Sequence, residues 1–241
     1  MAGHNKWSKI KRKKGVADAQ RAAVFTKCGK LITVAAKEGG GDPDMNFKLK
    51  LAVDKAKAAN MPSDNIQRAI EKGAGSGKDG IQIEEVIYEV YGPDGIPCLL
   101  TCLTDNKNRA LSDLKTVFSK LGGSMGGSGS VAWMFETKGW ISAKKTSVGD
   151  LDDITLEGID HGVMDVENDE ESVDFYSAPT DLKIMRDFLE SKGVEIESAE
   201  LVNQAKELVQ VDEEKKEKIV NFLEAIEELD DVEKVDSNIS F

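Results

Sequence analysis

Six basic residues and no acidic one stand in GHNKWSKIKRKKG, residues 3–15. Ammonium and guanidinium groups at this density are the chemistry that holds phosphate. Lys6, Lys9 and Lys13 fall on one helical face, while Lys11, Arg12 and Lys14 fall elsewhere, so no face is left to pack into a core. Trp7 sits among these charges and offers an indole on which a base can stack. Arg21, Lys27 and Lys30 carry the positive charge into the following segment. The sequence therefore nominates Lys6, Trp7, Lys9, Lys11, Arg12, Lys13, Lys14, Arg21, Lys27 and Lys30 as nucleic-acid contacts. The plain alternative is a solvated basic tail leading into an ordinary solvated helix face.

Other patterns carry less chemistry. GAGSGKDG, residues 73–80, lacks the spacing of a phosphate loop, and Asp79 follows Lys78 where Ser or Thr is required. GGSMGGSGS, residues 122–130, runs from a helix into a strand, the reverse of the order that aims a helix N-terminus at a pyrophosphate. It reads as a mobile connector, or as a contact loop of Ser124, Met125, Gly126, Gly127 and Ser128 with Met125 exposed at its tip. DPDMN, residues 42–46, fails as a calcium loop, because Phe47 and Val53 occupy the positions that need Gly and Glu. His4 and His161 have no nucleophile or carboxylate at a spacing that suggests a catalytic set. Cys98 and Cys102 share one face of an apolar strand. No catalytic residue, metal or cofactor is expected.

The charge is divided along the chain. Residues 1–75 hold 16 Lys and Arg against 7 Asp and Glu, net +9, whereas residues 76–241 hold 16 against 37, net −21. One end thus faces a polyanion, and the acidic remainder repels it only within about a Debye length of ~8 Å. Two or three domains fit in 241 residues. No apolar run approaches the ~20 residues of a membrane span, and the basic N-terminus lacks the apolar core of a secretory signal. Three cysteines in apolar surroundings suit a reducing cytoplasm.

The elements that must position these residues follow from periodicity. A helix is expected over 16–38, with Phe25, Cys28, Leu31, Ile32 and Ala35 on one stripe. A second is expected over about 45–59. A third opens on an Asp64–Gln67 capping box and closes at Gly73. Val86, Tyr88 and Val90 alternate as a strand, GPDG turns the chain at 92–95, and IPCLLTCLT over 96–104 is a buried strand. A helix over 107–121 and a strand at VAWMF follow. Residues 138–206 then read β-α-β-β-α-β, the ferredoxin-like order. The last pieces, ELVQV, an acidic helix over 212–230 and VEKVDSNI, are placed to rejoin the earlier sheet. The expected architecture is a helical bundle (1–75), an α+β domain (81–137 plus 207–241) and an inserted ferredoxin-like domain (138–206).

MAGHNKWSKIKRKK, FTK, KEGGGDPDMNFKLKLAVDKAKAANMPSDNIQRAIEKG, YEVYGPDG, LTDNKNRA and GSVAWMFETKG together resemble the YebC family over essentially the whole chain. That family comprises probable transcriptional regulators and includes the mitochondrial translational activator of cytochrome oxidase. The resemblance implies the same three domains and a non-enzymatic regulator of gene expression. Its members are described both as DNA-binding regulators and as ribosome-associated factors, so DNA and ribosomal RNA both stand as expected partners. Three places depart from the family pattern: Ser128 replaces an acidic residue, Pro97 follows the hairpin turn, and Asn203-Gln204-Ala205 lacks a proline.

Overall fold

A computed structural model describes residues 18–75 and 83–240. In chain order its helices and strands are α1 (Asp18–Gly39), α2 (Phe47–Ala58), α3 (Ser63–Ala74), β1 (Glu84–Tyr91), β2 (Pro97–Thr104), α4 (Lys107–Leu121) and β3 (Ser124–Met125). Next come β4 (Phe135–Lys144), α5 (Leu151–Ile159), β5 (Val163–Asn168), β6 (Ser172–Ser177), α6 (Leu182–Ser191) and β7 (Ile196–Ala205). The chain finishes with β8 (Val209–Gln210), α7 (Glu213–Glu227), β9 (Val232–Ser237) and β10 (Ile239–Ser240). The described residues divide into two compact units, Phe135–Gln204 and the remainder.

In the larger unit α1, α2 and α3 share a core of Ile32, Leu49, Ala52, Ala56, Ile66 and Ala69. Asn46 caps α2. Its Oδ1 accepts the Leu49 N–H at 3.1 Å, and its Nδ2 donates to the Ala35 and Gly40 carbonyls at 2.8 Å each. One buried side chain thereby ties the end of α1 to the start of α2. The expected Asp64–Gln67 capping box does not form. Pro62 is the N-cap, with φ −59°, so Asp64 falls inside the first turn and complements the helix dipole there. The Gln67 amide donates instead to Glu71 at 2.9 Å. Gly73 does not end α3 either. A Cβ at Gly73 would lie 2.8 Å from that of Ala36 and nearer still to the Thr33 carbonyl. The bare backbone lets α3 cross α1 closely, and the helix runs on to Ala74.

β1 and β2 form an antiparallel hairpin with Tyr91 opposite Pro97, turned at Pro93–Gly95 with Asp94 at φ 60° and Gly95 at φ 79°. The sheet order is β3-β1-β2-β9. On one face Val90, Cys98, Leu100 and Cys102 meet Leu114 and Phe118 of α4 and Phe222, Leu223 and Ile226 of α7. On the other, Leu103 joins Val34 of α1 and Ile83. Cover on both faces explains why β2 reads as an unbroken apolar run. The same burial pushes the Cys98 and Cys102 thiols up to about 12. The C-terminal segment rejoins the sheet through β9 alone. ELVQV contributes only β8, a two-residue parallel ladder with β10.

The second unit runs β-α-β-β-α-β with strand order β5-β6-β4-β7. Ile141, Phe175, Leu182, Met185 and Leu189 are fully buried in it. His161 stacks on Phe188, ring centroids 4.5 Å apart, so its imidazole is a packing element.

Candidate nucleic-acid interface

Lys6, Trp7, Lys9, Lys11, Arg12, Lys13 and Lys14 lie outside the described residues. Arg21 is exposed on α1. Lys27 and Lys30, one turn apart on α1, point towards the C-terminal part of the same unit. The Lys27 ammonium donates to the carbonyl of Glu227, the last residue of α7, where the helix dipole favours a cation. The Lys30 ammonium donates to the Asp230 carbonyl at 2.9 Å and to Asp231 Oδ1 at 2.6 Å. Lys55 of α2 makes a parallel contact with Glu233 at 2.6 Å.

Asp231 is the hub of this region and is only 5% exposed. Besides Lys30 it accepts from Thr104 Oγ1 at 2.9 Å and from the Arg109 guanidinium at 2.9 Å. Burial alone would raise its carboxyl, but the hydrogen bonds from Lys30, Arg109 and Thr104 hold it below the ordinary range. Arg109 also reaches Asp105 at 2.7 Å. Asn106 fixes the start of α4, and so the position of Arg109, by accepting the Asn108 and Arg109 N–H groups at 3.1 Å.

Above this hub lies a cleft of about 490 Å³ between α1, α3 and the β2–α4 turn. Phe25, Gly29 and Ile83 give it an apolar floor, and Lys30, Arg68, Lys72 and Arg109 line it. Its acidic member, Asp105, pairs with Arg109, and the buried Asp231 beneath pairs with both Lys30 and Arg109. Arg68 is held by its own helix, with Nε donating to the Asp64 carbonyl at 3.1 Å and an NH2 group to Asn65. With Lys30 and Arg109 matched by Asp231 and Asp105, Arg68 and Lys72 give this apolar floor its excess positive charge, which suits a sugar–phosphate chain with its bases against the floor. In the sequence Arg68 and Lys72 are only the basic side chains that the third helix could offer to base edges, and Arg109 gives no signal as a site residue, because only the fold brings it beside α1.

The glycine-rich loop is built differently from a mobile connector. Ser124 and Met125 form β3, pairing with Tyr91 and Val90. Met125 packs partly buried against the sheet core and is not an exposed tip. Gly123, at φ 128°, has no room for a side chain, since a Cβ would come 2.9 Å from the Phe222 ring. The Gly126 N–H donates to the Glu89 carbonyl at 2.8 Å. The Glu89 carboxylate then accepts the N–H groups of Gly129, Val131 and Ala132 at 2.5, 2.6 and 2.8 Å. These bonds, the one from Val131 foremost, hold the carboxyl below its usual range. Gly127 and Ser128 remain exposed at the tip. The expected strand at VAWMF begins only at Phe135. Ala132–Met134 is a short helical turn, because Glu89 draws successive N–H groups inward.

The comparisons with known proteins agree with one another. A family described as TACO1/YebC protein N-terminal domain matches residues 5–76, and one described as TACO1/YebC second and third domain matches 83–239. A probable transcriptional regulatory protein of Herpetosiphon aurantiacus is 47% identical over 239 residues, 99% of this chain and 94% of that protein. Another, from Dehalococcoides mccartyi, is 45% identical over 241 residues, 100% of this chain and 95% of that protein. The crystal structure of a conserved hypothetical protein, Aq1575, from Aquifex aeolicus superposes with a TM-score of 0.86 at 42% identity. It covers 98% of this chain and 96% of that one. With both families matched in order and relatives of this similarity along its whole length, the chain belongs to the TACO1/YebC family.

Proposed function

We propose that this protein is a non-enzymatic regulator of gene expression that acts by binding nucleic acid, in the cytoplasm. It grips the phosphate chain with its basic N-terminal residues and continues along α1 into the cleft lined by Lys30, Arg68, Lys72 and Arg109. The observation that carries this reading is the concentration of positive charge, net +9 over residues 1–75 against −21 over the rest, on the segment that supplies most of the cleft's lining. The names of the relatives, probable transcriptional regulatory proteins, favour DNA as the partner and transcription as the setting. No helix among the described residues is long and apolar enough to cross a membrane.

One observation favours the second reading, a ribosome-associated factor that contacts ribosomal RNA. The outward side chains of α3 are engaged with their own helix, Gln67 with Glu71 and Arg68 with Asn65. A helix so arranged offers no preset base-reading edge, which suits recognition by shape and stacking.

The test is binding of duplex DNA and single-stranded RNA across a salt series, followed by fluorescence anisotropy. The affinity is expected to fall with a log–log slope of about 0.7–0.9 per phosphate neutralised. Replacing Lys9, Lys11, Arg12, Lys13 and Lys14 with Ala flattens that slope, and Arg68→Glu with Lys72→Glu weakens binding to both polymers. No affinity for either polymer in dilute buffer overturns the proposal. Crosslinking in cells with sequencing of both nucleic acids separates the two settings: promoter peaks mark transcription, and ribosomal RNA enrichment marks translation.

A further inference from the structure

Trp133 sits in the helical turn Ala132–Met134 and is 64% exposed. Its Nε1–H already donates to the Ser130 carbonyl at 3.1 Å. What the indole offers to solvent is therefore apolar ring surface, costly to leave in water and not used by the fold. The support beneath it is rigid. Glu89 clamps the three N–H groups on either side of Ser130, and the Tyr91 hydroxyl donates to the Ser130 carbonyl at 3.0 Å. The Lys206 ammonium donates to the Trp133 backbone carbonyl at 2.8 Å, which brings a positive charge to the same turn. Gly127 and Gly129 leave bare backbone at the loop tip, where an added Cβ would meet nothing within 4 Å.

An exposed aromatic ring on a fixed mount, next to a cation, is the arrangement that takes an unstacked base together with its phosphate. We infer that Trp133 is a stacking platform for a base of single-stranded nucleic acid, with Lys206 placed for the adjoining phosphate. This rests on the nucleic-acid reading above and adds a second contact point to it. The cleft borders Ile83 at one end of β1, and the platform hangs from Glu89 and Tyr91 at the other. Six to eight residues of strand separate them, roughly 20–26 Å at ~3.3 Å per residue. A stacked strand at ~3.4 Å per nucleotide covers that distance in about 6–8 nucleotides.

The experiment uses the full chain, with Trp133→Ala and Trp133→Phe, against a 12-nucleotide oligouridylate and a duplex DNA of 12 base pairs. Thermal melts check that both variants fold. Trp133→Ala is expected to bind the single strand about 5–150-fold more weakly and to bind the duplex as the wild type does. Trp133→Phe keeps most of the affinity, since stacking needs a ring and not the N–H. If Trp133→Ala binds the single strand like the wild type, the platform is refuted while the cleft stands. A Phe variant as weak as the Ala variant refutes it too, because the lost bond to Ser130 then explains both. A wild type that binds neither nucleic acid removes this inference together with the proposal it rests on.

Discussion

Asp231→Asn tests the hub directly. The substitution keeps the volume and leaves the Asp231 carbonyl, which accepts the Leu103 N–H at 2.8 Å, untouched. It removes the negative charge that Lys30 meets at 2.6 Å, in a pair whose side chains are 18% and 6% exposed. A charge-assisted bond of this kind contributes about 1.5–3 kcal/mol. The amide also turns a donor towards one of the three donors that now converge there. Arg109 is half exposed and retains Asp105, so its loss adds little. The expected cost is about 2–3 kcal/mol, which at about 2–4 °C per kcal/mol lowers the melting temperature of the unit by about 4–12 °C. The sign of the pH dependence is fixed by the direction of the carboxyl shift. The folded carboxyl titrates below the ordinary ~3.9. Its stabilisation is therefore complete above that value and is lost as pH falls through the lower folded value. Calorimetry of both proteins from pH 7 to pH 2.5 should show the gap in full above about pH 4 and closing below it. Equal melting temperatures at pH 7, or a gap that stays constant down to pH 2.5, would show that Asp231 is not the counter-charge that seats α1.

Two further substitutions probe the packing and the loop. Gly73→Ala gains up to ~1 kcal/mol of helix propensity, yet the new methyl meets Ala36 and the Thr33 carbonyl. A net loss of about 1–3 kcal/mol is expected in urea unfolding, and a stabilised variant would mean that α1 and α3 do not cross this closely. Glu89→Gln removes the charge that gathers the N–H groups of Gly129, Val131 and Ala132. Hydrogen exchange at those three amides should speed up about tenfold or more, while the buried amides of β2 keep their protection; unchanged exchange counts against the clamp.

How much of this was legible in the sequence depends on how far apart the partners lie. The helix expected over 107–121 is α4 residue for residue, because its signals are local: an apolar stripe, and Gly122 just after it. β2 is likewise legible as a buried strand, since a strand covered on both faces needs no polar alternation. Glu89 gave no such signal. An acidic residue that alternates with Tyr88 and Val90 looks like an ordinary solvent-facing position, and the N–H groups it gathers lie 40–43 residues further on. The same blindness applies to Lys30 and Asp231, which meet across 201 residues of sequence. Periodicity identifies which residues face inward; it carries no information about which distant charge they will find. Trp133 was hidden for a related reason, because VAWMF reads as a strand until the Glu89 clamp is known.

The pairing of β9 with β2 sets an order of events during synthesis. β2 is complete at Thr104, but the neighbour that covers its second edge is made only at Val232–Ser237. At about 5–20 residues per second, that leaves an apolar central strand with an open edge for on the order of 10 s. The intervening Phe135–Gln204 unit has all its own strands in hand well before then and can fold while its host waits. A nascent chain of this protein is thus most exposed to sticking, and most in need of a chaperone, in the interval before its final strand emerges.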